Sequence, residues 1–115
     1  MSERKYNSFK AFYPFYLTEH QDATSRTLHF IGTGLVIFLL CYAIATQWWM
    51  GLLYIPLAGY GFAWVGHFFF EKNKPATFQY PLYSLGSDFV MFFHILTGQL
   101  PSKMKQARKT ILGVD

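Results

Sequence analysis

Between Arg26 and Glu71 the chain carries no Asp, Glu, Lys or Arg, an uncharged run of about 44 residues. A helix crossing a bilayer uses about 20 residues, so the run has room for two crossings. It divides near its centre: residues 28–46 are apolar, 47–51 read Gln-Trp-Trp-Met-Gly, and 52–70 are apolar again. This pattern predicts an all-α integral membrane protein built on a helical hairpin of two transmembrane helices. Trp48, Trp49 and Tyr54 stand at the turn, where aromatic rings favour the membrane–water boundary. Gly32, Gly34, Gly59, Gly61 and Gly66 let the two backbones approach, and Pro56 is expected to kink the second span. Apolar residues surround both predicted helices, whereas a buried hairpin in a soluble oligomer would show one apolar stripe.

Composition points the same way. Only 14% of the 115 residues are charged, against about 25% in an average soluble domain, and 21% are aromatic. One cysteine, Cys41, excludes an internal disulfide framework and a Cys-based zinc site. The basic residues Arg4, Lys5, Lys10 and Arg26 precede the first span, and Lys72, Lys74, Lys103, Lys105, Arg108 and Lys109 follow the second. The turn has none, so the positive-inside rule places both termini in the cytoplasm. A polar and aromatic stretch precedes the first apolar run, which argues against a signal peptide.

The flanks complete a single membrane domain. Residues 1–27 form an aromatic interfacial segment in which Phe9, Phe12, Tyr13 and Tyr16 recur at helical spacing across Pro14. Residues 28–70 are the transmembrane hairpin, with Asp22 or Thr24 as its cap. Residues 71–100 are a polar loop and an interfacial or partly inserted helix over 87–97; a third full span would carry the basic tail, 101–115, across the membrane. That tail either touches anionic headgroups or is simply solvated. No repeat, phosphate loop or nucleic-acid signature is present.

Four histidines remain: His20, His29, His67 and His94. With the turn near Trp49, a rise of 1.5 Å per residue puts His29 and His67 within about 4–5 Å of the same height. His67 and Glu71, four apart, share a helix face. His20 and His29, nine apart, converge only if the helix breaks between them, and residues 22–24 supply such a break. Three imidazoles with a carboxylate suit a non-haem iron or zinc site; the alternative is histidines bonded to interfacial backbone or lipid phosphate. His94 is the weakest candidate. Asp88 is either a partner orienting a histidine or the cap of the last helix.

Two stretches carry a resemblance. FYPFYLTEH (12–20) with RTLHFIGT (26–33) forms the first, and GFAWVGHFFFEKNKPATF (61–78), extended by PLYSLGSDF (81–89), the second. Together they resemble the short bacterial branch of a membrane family whose characterised fungal members are iron(II)-dependent 2-hydroxy-fatty-acid dioxygenases. The resemblance covers most of residues 12–100. It implies an Fe(2+) centre held by His20, His29 and His67, with Glu71 a fourth ligand or nearby base. Arg26 is then either a partner for the substrate carboxylate or a topology anchor. Substrates would be a long-chain 2-hydroxy fatty acid and molecular oxygen, the acid leaving one carbon shorter, with its tail among the Phe and Leu residues at the hairpin end. The resemblance implies a multi-pass protein of the bacterial inner membrane. The spacer 21–28 and the segment holding Asp88 depart from the fungal pattern, which bears on the substrate more than on the metal. Competing readings are a b-type haem-binding membrane anchor and a small structural membrane protein without catalysis.

Overall fold

The chain breaks between the first two histidines because Asp22 is free to cap. Its carboxylate accepts the Ser25 N–H at 3.0 Å and α2 (Ala23–Thr46) starts at the next residue, five residues before the apolar run. In the computed structural model, which describes residues 6–113 apart from the Thr77 side chain, this helix follows α1 (Phe9–Thr18). Arg4 and Lys5, and the last two residues of the tail, lie outside the described residues. Ser8 caps α1 through Ala11 N–H at 3.2 Å. Pro14 sits inside α1, where it forfeits one backbone hydrogen bond without ending the helix.

α2 ends in a left-handed residue, Gln47 (φ 56°), with Trp48 N–H returning to the Ala43 carbonyl at 2.9 Å, a common way to satisfy the last carbonyls. A 3₁₀ turn, Trp49–Leu53, leads into α3 (Tyr54–Val65). Pro56, expected from sequence to kink the second span, lies near the start of α3. It stands in the first turn of α3, where its missing N–H has no partner to lose. Nor are all the glycines tight. A Cβ on Gly32 would lie 3.0 Å from Phe62 Cβ and 3.1 Å from the Ala58 carbonyl, whereas one on Gly61 would meet nothing within 4 Å.

α3 continues into a π-helical turn, Gly66–Glu71, closed by Lys72 in the left-handed region (φ 61°). After a short 3₁₀ turn, Ala76–Phe78, α4 runs from Pro81 to Leu96, six residues earlier than the sequence suggested, because proline fits a helix's first position. Asp88 is therefore mid-helix and not a cap. The basic tail also folds: α5 (Leu100–Ala107) turns Leu100, Met104 and Ala107 inward at helical spacing. They meet Phe12, Tyr16, Leu17, Tyr80 and Met91, so the core lies beside the hairpin, among α1, α4 and α5.

The hairpin itself stays largely uncovered. Ala23–Thr46 and Trp49–Glu71 are both long and apolar enough to cross a membrane, yet only 22% and 17% of their most apolar windows are buried. Phe38, Leu53 and Leu57 point outward at 61%, 69% and 70% exposure. So large an apolar surface calls for an apolar surround. Among the described residues the chain is all-helical, with five α-helices and no strand.

Candidate metal centre

Three elements bring three histidines to one point. His20 lies in the link between α1 and α2, His29 two turns into α2, and His67 in the π turn after α3. All are buried, and one ligand nitrogen from each lies within 4.8 Å of the others. The imidazole centroids are 4.3, 4.5 and 4.9 Å apart.

Each Nδ1 is already engaged. His20 bonds the Tyr16 carbonyl at 2.6 Å and His29 the Ser25 carbonyl at 2.8 Å, each four residues back. A carbonyl only accepts, so both Nδ1 atoms carry the proton. His67 Nδ1 meets Asn73 Oδ1 at 2.6 Å, and Asn73 Nδ2 donates to the Glu19 carbonyl at 3.1 Å, which fixes the amide's orientation and leaves its oxygen to accept from His67. All three Nε2 atoms are thereby left as lone-pair donors. His20 Nε2 and His29 Nε2 face one another at 3.0 Å, a repulsive contact unless a cation lies between them. That separation also matches two nitrogens at right angles on one ion, each about 2.1 Å from it. It leaves no room for a porphyrin between the two rings, which counts against the haem-anchor alternative. Burial holds the His20 imidazole well below its usual pKa, and the neighbouring His29 and His67 reinforce this, keeping it neutral as a ligand must be.

The surroundings fix these side chains. Gly66 is needed beside His67: a Cβ there would stand 2.8 Å from Ser25 Oγ, 3.3 Å from Ser25 Cα and 3.4 Å from His29 Cε1. Arg26 Nη1 donates to the carbonyls of His20 and Gln21, both at 2.8 Å, strapping the link that carries the first histidine. Glu71 accepts the Asp22 N–H at 2.6 Å and stands outside the converging group. His94 is also apart, its Nδ1 paired with the Tyr13 hydroxyl at 2.8 Å.

Asn73 and Tyr16 are the residues whose roles the sequence did not disclose. Tyr16 stacks on His20 with centroids 4.0 Å apart, and its hydroxyl donates to Asp88 Oδ1. Burial pushes the Tyr16 hydroxyl well above its usual pKa, with the Asp88 carboxylate adding to the effect. It pushes the Asp88 carboxyl up to about 7, against the pull of the Tyr16 hydrogen bond. The Ser84 hydroxyl, buried without a hydrogen-bond partner among the described residues, borders the same chamber.

That chamber is small, about 20 Å³, and bounded by the three histidines with Tyr16, Ser84 and Asp88. A second cavity of about 170 Å³ lies between α2, α3 and α4. The two share His29, Tyr60, Ala63 and Asp88 as common walls.

Comparison with known proteins gives one match. The family model described as "2-hydroxy-palmitic acid dioxygenase Mpo1-like" matches residues 6–100. No curated protein and no solved structure matches the chain.

Proposed function

The chain belongs to the Mpo1-like family, and on that premise we propose that it is a membrane-bound iron(II) dioxygenase shortening a 2-hydroxy fatty acid by one carbon. The observation that carries the proposal is the convergence of three Nε2 lone pairs, each left available by a bonded Nδ1. His20, His29 and His67 would hold the ion. Iron(II), unlike redox-inert zinc, would supply redox chemistry toward oxygen as well as Lewis-acid polarisation of a chelating substrate.

The chain's own residues do the rest. The carbonyls of Tyr16 and Ser25 and the amide of Asn73 hold the three rings in the ligating tautomer. Glu71 is a positioning residue, anchoring the π turn that bears His67 to the backbone at Asp22. Arg26 braces the His20 link through Nη1 and offers its other N–H groups to a substrate carboxylate. Ser84 offers a hydroxyl to the oxygen atoms of the bound acid. The hairpin spans the bilayer with both termini cytoplasmic, since basic residues flank it and its turn has none. The metal chamber then lies at the cytoplasmic membrane boundary, where a lipid-soluble acid and oxygen both arrive.

The test uses detergent-purified protein loaded anaerobically with iron(II), then given a long-chain 2-hydroxy acid and oxygen. The expected product is the acid one carbon shorter from wild type and none from His67→Ala. Absence of product from iron-loaded, folded wild type overturns the proposed reaction.

A further inference from the structure

The larger cavity adjoins the metal chamber, sharing four wall residues with it, and runs along the hairpin. From His29 to Val36 on α2, and from Ala63 back to Ile55 on α3, it follows roughly 10–12 Å of helix at 1.5 Å per residue. Beyond the walls shared with the chamber its lining is hydrocarbon except for Thr33. Nothing charged lies at its far end, and Asp88, its one ionisable wall besides His29 and Tyr60, stands at the junction with the chamber. Such a shape, polar at one end and apolar along its length, matches an amphiphile with its head at the histidines. Midway, Gly59 contributes no side chain; a Cβ there would sit 3.4 Å from Val36 Cγ2 on the facing helix. A larger side chain at Gly59 would extend from a wall of the cavity, beside Val36 on the opposite wall.

We propose that this cavity between α2, α3 and α4 holds the acyl chain of the substrate, with Gly59 and Val36 setting how much of the chain enters. The inference rests on the dioxygenase reading for the identity of the head group. It relocates the tail from the phenylalanine-rich hairpin end to the cleft between α2, α3 and α4. Phe68, Phe69 and Phe70 line neither cavity.

Two measurements test it. A 2-hydroxy fatty acid with a mid-chain diazirine is photolysed on the purified wild-type protein, and labelled peptides are mapped. Label is expected on residues 33–36, 55–59 and 85–89, competed away by unlabelled acid. Label confined to outward residues outside those stretches, such as Phe38 and Leu53, or not competed, overturns the inference. The second measurement compares kcat/KM for short- and long-chain acids. Gly59→Leu should lower the long-to-short ratio at least tenfold while iron content is unchanged, and exposed Leu57→Ala should not move it. Val36→Phe, from the facing wall, gives the same shift if Gly59→Leu does not fold. An unchanged ratio in a folded variant of either kind overturns the assignment. Should wild type turn over no 2-hydroxy acid, the dioxygenase reading fails, while the cross-linking pattern still decides the cavity's occupant.

Discussion

Asn73 accepts the Nδ1–H of His67 at 2.6 Å and donates to the carbonyl of Glu19 at 3.1 Å. One amide thus ties the third imidazole to the residue just before the first. Partners of this kind fix both the tautomer and the ring orientation of a metal-binding histidine.

Asn73→Ala should therefore weaken iron(II) or zinc(II) binding by about 10–100-fold with the helical fold intact. Asn73→Asp, which keeps the acceptor but loses the donor to Glu19, should fall between the two. Calorimetric titration of metal into the purified variants gives the affinities. Equal affinity in Asn73→Ala and wild type would mean that His67 needs no such partner.

Gly66 sets the approach of α3's end to α2. In Gly66→Ala the added methyl meets the Ser25 backbone at 3.3 Å as well as its hydroxyl at 2.8 Å, so rotation of the serine alone does not relieve it. The π turn must back away, separating His67 from His29. Metal affinity should drop at least tenfold, with a thermal destabilisation of about 1–3 kcal/mol from overpacking. Gly61→Ala, whose new methyl meets nothing, should change neither quantity.

How far the sequence disclosed this centre follows from which interactions are local. The charge-free run gave the hairpin, the helical rise put His29 and His67 at one height, and Asp22 marked the break that turns His20 toward them. Glu71 was expected beside His67 because an α-helix brings residues four apart onto one face. The π turn over Gly66–Glu71 is wound more widely, and the carboxylate goes to Asp22 instead. The same wide turn delivers Asn73 back to His67, a contact that an α-helical spacing does not suggest. α5 was hidden for another reason. Its lysines read as a tail that is solvated or touches headgroups, while Leu100, Met104 and Ala107 are too few to stand out until α1 is present to receive them.

Arg26 has two separable roles. If it braces the His20 link, Arg26→Ala frees two carbonyls and lowers stability by about 1.5–3 kcal/mol, the range for hydrogen bonds to a charged group. Metal affinity should fall with it. Arg26→Lys, which cannot reproduce the forked geometry, should recover only part of both. If the side chain serves the substrate carboxylate alone, metal affinity stays at the wild-type value and only KM rises. Metal titration alongside steady-state kinetics separates the two.

Asp88 gives the pH dependence. Its carboxyl is raised by burial from 3.8 to about 7 in the folded protein. Between those values the folded state holds a proton that the unfolded chain has released. Its contribution to stability is therefore complete at low pH and is lost as pH rises toward neutrality. Buried His20 acts in the opposite sense, since it binds a proton more readily when unfolded. Comparison with Asp88→Asn removes that background. In metal-free protein, wild type should match Asp88→Asn in stability near pH 4 and fall below it by pH 8, by up to a few kcal/mol. A bound cation should narrow the gap, because positive charge beside the chamber favours the ionised carboxylate. Thermal melts of both proteins across that range, with and without chelator, decide it: a gap independent of pH would mean that Asp88 is ionised throughout and that the Tyr16 hydroxyl alone meets its charge.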